Sequence, residues 1–163
     1  METALRMASI TREPGPGAAV HRRPPAGANW GRWRDWARTQ PAITALGLEP
    51  RQFGDGRAVF DLPGSILPLN PNGAVNGGLV AAVVDQVGAM AAATRAAPGH
   101  AVLTCVLNIE YLEPARLPLV GVGTVVRSSS TLVFTHIEMF SGGRICSSAS
   151  GTWLPKVYPE DVS

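Results

Sequence analysis

A long apolar run near the middle of the chain, GGLVAAVVDQVGAMAAAT, carries a single carboxylate, Asp85. At 3.6 residues per turn, the bulky side chains of this run lie on one face, and small residues surround Asp85 on the other. The bulky face, which we expect to form the core, consists of Leu79, Val80, Val83, Val84, Val87 and Met90. The small face consists of Ala81, Ala82, Gly88, Ala89 and Ala92. We predict one long central helix, residues 77–95, whose small face is open to a second backbone or a narrow ligand.

Segments typical of β-strands lie on both sides of this helix. Residues 47–51 and 57–62 precede it, and the Asp55-Gly56 dipeptide between them is a strong turn signal. Four further segments follow, separated by Pro, Ser or Gly: residues 101–112, 119–128, 131–140 and 145–154. Their short connections favour antiparallel neighbours. We predict an α+β fold in which a curved antiparallel sheet wraps around the one long central helix.

The N-terminal part of the chain has a different composition. Residues 1–28 contain the stretches PGPG and RRPP, which cannot continue a helix or a central strand, and we predict a flexible arm there. From Asn29 onward, tryptophans recur at helical spacing, so we predict a short amphipathic helix over residues 29–40. A chain of 163 residues suffices for one sizeable core. We therefore predict a single domain over residues 29–158.

Composition and charge exclude several kinds of partner. The formal net charge is only +2 and no basic stripe with interleaved aromatic residues occurs, so we expect no nucleic-acid partner. The N-terminal arm lacks the apolar segment of a secretory signal, and we expect a cytoplasmic protein without a membrane partner. Cys105 and Cys146 are isolated, with no CxxC pair and no histidine at metal-ligand spacing. We predict two buried, reduced thiols, no metal site and no cofactor.

The start of the central helix has the features of an oxyanion site. Gly77 and Gly78 open the helix, so unpaired N–H groups and the positive end of the helix dipole point at whatever lies there. The preceding asparagines are typical of turns and N-caps. The step from Gly77 to Asp85 spans roughly 12 Å, too far for both to act on one carbonyl. If they cooperate, the two groups must come from different subunits of a dimer. Asp85 is also compatible with an acid held by a cap or a salt bridge.

Two motifs together resemble a known family. The segment N-x5-N-G-G-x6-D begins at Asn70, and the strand TCVLNIEYLEPA begins at Thr104. They resemble the hotdog-fold acyl-CoA thioesterases of the phenylacetate-pathway type and their human relatives, in which the patterns usually read N-x5-H-G-G-x6-D and S/T-x3-N-I-x-Y-x-x-P-A. The resemblance covers about residues 41–156. It implies a hotdog fold, an acyl-CoA substrate, a homodimer with the site at its interface, and a dimer of dimers.

The resemblance also implies roles for individual residues. Gly77 N–H would polarise the thioester carbonyl, and Asp85 of the partner subunit would act either as general base or as nucleophile. Asn70 and Thr104 would place the water. Asn76 stands where the family usually has histidine; an amide can still donate and accept hydrogen bonds, although it is a poor acid.

Substrate-binding residues are assigned on the same resemblance. Gly78 would contact the substrate beside Gly77. Val83 is the candidate for contact with the acyl chain, and Val87 and Met90 are its alternatives. Loops with positive charge or hydroxyl groups could bind the CoA phosphates, and the candidates are Arg116, Arg127, Ser128 and Ser129.

We therefore predict an enzyme that hydrolyses acyl-CoA, or a carrier-bound acyl thioester, to the free acid. One alternative is a hotdog protein that binds acyl thioesters without hydrolysing them, because Asn76 replaces the usual histidine. The other is a dehydratase or hydratase, which needs a histidine paired with an acid near the helix. We expect no such acid partner for His100 or His136.

Overall fold

The computed structural model describes residues 23–157 of the chain. Residues 1–22 and 158–163 lie outside the described part, so most of the predicted arm, residues 1–28, and the last residue of the predicted domain fall there. No helix within residues 23–157 is long and apolar enough to cross a membrane.

A six-stranded antiparallel sheet and one long helix form the body of the protein. The elements in chain order are α1 (Trp30–Arg38), α2 (Pro41–Leu46), β1 (Glu49–Gly54), β2 (Arg57–Leu62), α3 (Gly77–Ala93), β3 (His100–Tyr111), β4 (Leu119–Ser128), β5 (Val133–Ser141) and β6 (Arg144–Val157). The sheet order is β1-β2-β4-β5-β6-β3, which confirms the predicted antiparallel sheet around a single central helix.

Helix α2 is the element that the sequence analysis missed. Pro41 occupies its first position, and Gly47 ends it in a left-handed conformation with φ 70°. Proline just inside the start and glycine just past the end are the usual marks of a helix, but this one is only six residues long. The strand predicted to begin at residue 47 therefore begins at Glu49. It continues to Gly54, and the turn consists of Asp55 and Gly56.

Helix α1 is the predicted tryptophan helix, and its start is capped as expected. Asn29 Oδ1 accepts a hydrogen bond from Arg32 N at 3.2 Å. Trp33 is 4% exposed and stacks against Phe53 of β1, with ring centroids 6.1 Å apart. Its Nε1 donates to Gly27 O at 2.9 Å, so the segment just before α1 is held against the helix.

The core lies between α3 and the sheet. All six predicted bulky residues of α3 are buried, and they pack with strand residues such as Phe60, Ile137 and Met139. The small face differs from the prediction, because Gly88 and Ala92 are buried rather than open. Trp153 of β6 packs against both of them. Ala81, Ala82 and Ala89 stay half-buried.

The two cysteines have different environments. Cys146 is 1% exposed, and burial raises the pKa of its thiol. Cys105 is exposed, so the prediction of two buried thiols is wrong for this residue. It lies beside a bulge in β3, an edge strand that is open on one side of the sheet.

Gly88 tests how tightly α3 packs on the sheet. A Cβ at this position would lie 2.5 Å from Trp153 Cζ2 and 3.0 Å from Ile137 Cδ1, both of which are buried. Alanine is the better helix former, but the steric overlap dominates. We therefore expect Gly88→Ala to lower the free energy of unfolding by about 1–2 kcal/mol in urea titration. Gly64→Ala is the control, because a Cβ there meets nothing within 4 Å. Equal stability of both variants with the native protein would contradict the close packing.

Candidate active site

Asp85 lies half-buried on α3 and is held by two hydrogen bonds. Its Oδ1 accepts from Thr104 Oγ1 of β3 at 2.8 Å, and its Oδ2 accepts from Gln86 Nε2 at 3.2 Å. Within residues 23–157 no basic side chain forms an ion pair with Asp85. The carboxylate is therefore oriented by neutral donors, and the salt-bridge alternative left open by the sequence is not observed.

A mostly apolar cleft of about 320 Å³ surrounds this carboxylate. Asp85 and Thr104 lie in it together. The rest of its lining comes from α3, from the start of β3 and from the N-terminal region, and includes Ala89, Met90, Ala93, Val102, Trp36 and Pro24. Asp85 is thus an oriented carboxylate next to apolar surface in an open cleft, where it can act on a bound group.

The N-terminus of α3 forms a second polar site. Asn76 is the N-cap, and its Oδ1 accepts from Gly78 N at 2.9 Å. Within the described part of the chain, Gly77 N–H has no hydrogen-bond acceptor. The N–H groups of Leu79 and Val80 both donate to Asn76 O. Tyr111 Oη donates to Gly77 O at 2.8 Å and so holds the next peptide, Gly77–Gly78. An unpaired N–H at a helix start is the geometry of an oxyanion donor.

Asn70 organises the loop that leads to this helix. Its Oδ1 accepts from the backbone N–H groups of Asn72 and Ala74, each at 3.0 Å. Asn70 and Gly77 line a second cleft of about 340 Å³, together with Tyr111.

The predicted catalytic residues thus fall into two groups within one chain. Asp85 and Thr104 share the first cleft, whereas Asn70 and Gly77 share the second. The rise of α3 separates Gly77 from Asp85 by roughly 12 Å. One chain therefore does not bring Asn70 and Thr104 to the same water.

Known proteins with similar sequences and structures show the family and the fold. Residues 72–147 match the thioesterase superfamily. Human acyl-coenzyme A thioesterase 13 is 30% identical over 110 residues, which cover 65% of this chain and 73% of that protein. The chain belongs to the thioesterase superfamily.

The chain has the same fold as solved structures of similar proteins. The phenylacetic acid degradation-related protein of Ralstonia eutropha JMP134 has a TM-score of 0.65 and 28% identity, covering 71% of this chain and 90% of that one. A Bacillus halodurans protein solved with CoA has a TM-score of 0.64 and 22% identity, covering 72% and 79%. The predicted hotdog fold is confirmed, and the family supports thioester hydrolysis as the general chemistry.

Two of the predicted substrate contacts on α3 of the thioesterase are otherwise engaged. Val83 is fully buried against the sheet and lines neither cleft. Gly78 gives its N–H to the Asn76 cap. Besides Asp85, the α3 residues that line the Asp85 cleft are Gln86, Ala89, Met90 and Ala93.

The predicted phosphate-binding residues lie in two places. Arg116 is near the second cleft, where its Nη1 donates to Gly73 O at 3.4 Å and its backbone is bonded to Ser141 Oγ. Arg127 and Ser128 are exposed at the end of β4, and Ser129 Oγ forms bonds within its own turn. None of these last three residues lines either cleft.

One histidine departs from expectation. His136 Nε2 lies 3.8 Å from Glu138 Oε1, so it has an acid neighbour after all. Both side chains project from the outer face of β5, opposite the buried Ile137, and line neither cleft. The pair is remote from α3, and the dehydratase alternative gains no support from it.

Three residues of this site have no role in the prediction from the sequence: Tyr111, Gln86 and Trp36. Tyr111 was visible in the strand motif, and Gln86 is the direct neighbour of Asp85. Trp36 had no local signal, because its place beside Asp85 depends on how α1 packs in three dimensions.

The capping role of Asn76 can be separated from any catalytic role. We expect Asn76→Ala to lower the free energy of unfolding by about 1 kcal/mol, because Gly78 N–H loses its acceptor. Asn76→Asp keeps an oxygen in the same place and serves as the matched control. Urea titration of both variants measures the difference. If the alanine and aspartate variants were equally stable, the cap would contribute nothing.

Proposed function

We propose that this thioesterase hydrolyses acyl-CoA to the free acid and CoA. The observation that carries the proposal is the hydrogen bond from Thr104 to Asp85, which orients a carboxylate inside an apolar cleft. The name of the human relative, acyl-coenzyme A thioesterase 13, favours CoA as the thiol. The CoA in the Bacillus halodurans structure is compatible with the same choice.

The reaction needs a base or nucleophile on one side of the thioester and an oxyanion donor on the other. In one version Asp85 takes a proton from water as the water oxygen attacks the carbonyl carbon. The C–S bond then breaks, and the thiolate of CoA receives a proton. In the other version the Asp85 carboxylate attacks, CoA leaves, and water hydrolyses the mixed anhydride. In both versions Gly77 N–H donates to the developing oxyanion.

A homodimer reconciles this chemistry with the separation of the two groups. Strand β3 is an edge strand of the sheet and exposes Leu103, Val106 and Tyr111, with exposures of 47%, 49% and 54%. Exposed apolar side chains on an open strand edge favour pairing with another chain. We infer that β3 pairs with a second copy and that Gly77 of one subunit meets Asp85 of the other. The dimer of dimers and the cytoplasmic location stay predictions from the sequence.

The alternative is an acyl-thioester-binding protein without turnover. Its supporting observation is Asn76, whose Oδ1 is occupied by the helix cap and whose amide cannot transfer a proton. An oriented carboxylate beside Thr104 has no evident use in a pure binder. No hydrolysis by the native protein, with turnover appearing in Asn76→His, would favour this alternative.

Substitution of Asp85 tests the proposed reaction. We expect Asp85→Asn to reduce thiol release from acyl-CoA by about 100- to 10,000-fold, the usual contribution of a general base. Thr104→Val should reduce it roughly 10- to 100-fold, since a hydrogen bond to a charged group contributes about 1.5–3 kcal/mol. Thr104→Ser keeps the hydroxyl and is the control. The assay uses short, long and aromatic acyl-CoAs, and full activity of Asp85→Asn would refute the mechanism.

Subunit complementation tests whether the site is shared between chains. Gly77→Pro removes the proposed donor N–H, and proline suits the first helical position; Asn76, with ψ 135°, already has a backbone compatible with a following proline. Gly77→Pro and Asp85→Asn should each be inactive alone. When the two are co-expressed equally, about a quarter of the shared sites carry neither substitution, so about a quarter of native activity should return. No recovery would mean that each chain holds its own site.

A further inference from the structure

One wall of the Asp85 cleft comes from outside α3 and the sheet. Pro24, Trp36 and Gln40 line it, and all three precede β1 in the chain. The sheet order places β1 and β3 at opposite edges, and α1 packs on β1. Because the sheet curves around α3, α1 and the start of β3 approach each other across the helix. Trp36 therefore faces β3 over the cleft.

The cleft has a polar end and an apolar course. Asp85 and Thr104 form the polar end. From Asp85 the lining follows α3 past Ala89 to Ala93. Asp85 and Ala93 are roughly 12 Å apart along the helix axis. Its volume of about 320 Å³ holds on the order of ten non-hydrogen groups at about 30 Å³ each, the share of a water molecule in the liquid. This is the space for a medium-chain or a single-ring acyl group beside the carboxylate.

Trp36 is supported from behind. Its ring meets Trp33 edge to face, with centroids 5.6 Å apart and planes at 85°. Trp33 is itself buried against Phe53 and bonded to Gly27 O. Gly27 has φ 75°, a left-handed turn that suits glycine and lets the chain lead back to Pro24. A buried aromatic stack behind Trp36 makes this wall resist displacement by a longer ligand.

We propose that Trp36 determines substrate size: its indole bounds the cleft opposite β3 and so limits the size of the acyl group that fits beside Asp85. This inference rests on the proposed function for the identity of the occupant. Replacing the indole by a methyl group removes most of the wall and extends the cleft toward Thr39 and Arg32, which line a neighbouring cleft on the far side of Trp36. Longer acyl chains should then fit.

The test compares binding of hydrolysis-resistant S-alkyl thioethers of CoA, so that it does not depend on turnover. Calorimetry with octyl, dodecyl and hexadecyl thioethers, below their micelle concentrations, gives the ratio of hexadecyl to octyl affinity. We expect Trp36→Ala to raise this ratio at least tenfold over the native protein. Trp30→Ala is the matched control, because Trp30 is a half-buried tryptophan of the same helix that lines a different cleft, without Asp85. The ratio of hexadecyl to octyl affinity of Trp30→Ala should stay within twofold of the ratio of the native protein.

A second variant acts in the opposite direction and from the opposite wall. Ala89→Leu fills the cleft between Asp85 and Ala93, so it should weaken dodecyl binding at least tenfold while a short ethyl thioether binds as before. Tighter binding of a long ligand by Trp36→Ala cannot result from misfolding. The pair of variants therefore distinguishes a change in cleft size from a general loss of binding.

The outcomes separate this inference from the proposed function. If the ratio shifts in Trp36→Ala but no thioester is hydrolysed by the native protein, the size limit stands and the proposed reaction fails. If acyl-CoAs are hydrolysed but Trp36→Ala and Trp30→Ala keep the native ratio, the reaction stands and the size limit is overturned. Failure of the native protein to bind any thioether would overturn both.

Discussion

The direct contact between α3 and the centre of the sheet is the constraint on which the rest of the structure depends. A Cβ on Gly123 of β4 would lie 2.7 Å from Val87 O, so the helix backbone rests on the strand without a side chain between them. Gly88 of α3 likewise has no side chain, which lets the Trp153 ring of β6 pack directly against the helix. Close packing of this kind allows one orientation of the helix, because rotation about its axis would drive backbone into side chains.

That orientation decides where the polar groups of α3 can lie. With Val83, Val84 and Val87 facing the sheet, Asp85 faces the gap between β3 and α1. The N-terminus of the same helix opens into a different cleft, beside Tyr111. Two groups carried by one rigid rod keep a constant separation, so neither side-chain motion nor loop closure can join them within a chain. Sharing the site between subunits is the simplest way to use both.

Much of this arrangement could be predicted from the sequence, and the failures have physical causes. The core face of α3, the N-cap at Asn76 and the limits of β4 follow from local periodicity, capping and turn residues. Helix α2 was missed because one and a half turns give little periodic signal. The burial of Gly88 and the exposure of Cys105 depend on sheet curvature and on which strand ends at the edge. Such long-range features have no local pattern, and neither does the approach of Trp36 to Asp85.

The open edge of β3 affects the solubility of a chain that has not assembled. Its sequence, HAVLTCVLNIEY, contains no proline or lysine, the residues with which natural proteins commonly block an open strand edge. Apart from the bulge at Cys105, the backbone groups of this edge stay available for pairing with another chain, and such pairing leads to aggregation. If the chain dimerises as proposed, a newly made subunit that meets its partner late would risk precipitation. Solubility of the chain would then depend on rapid pairing at β3, the proposed interface, and therefore on the local concentration of chains.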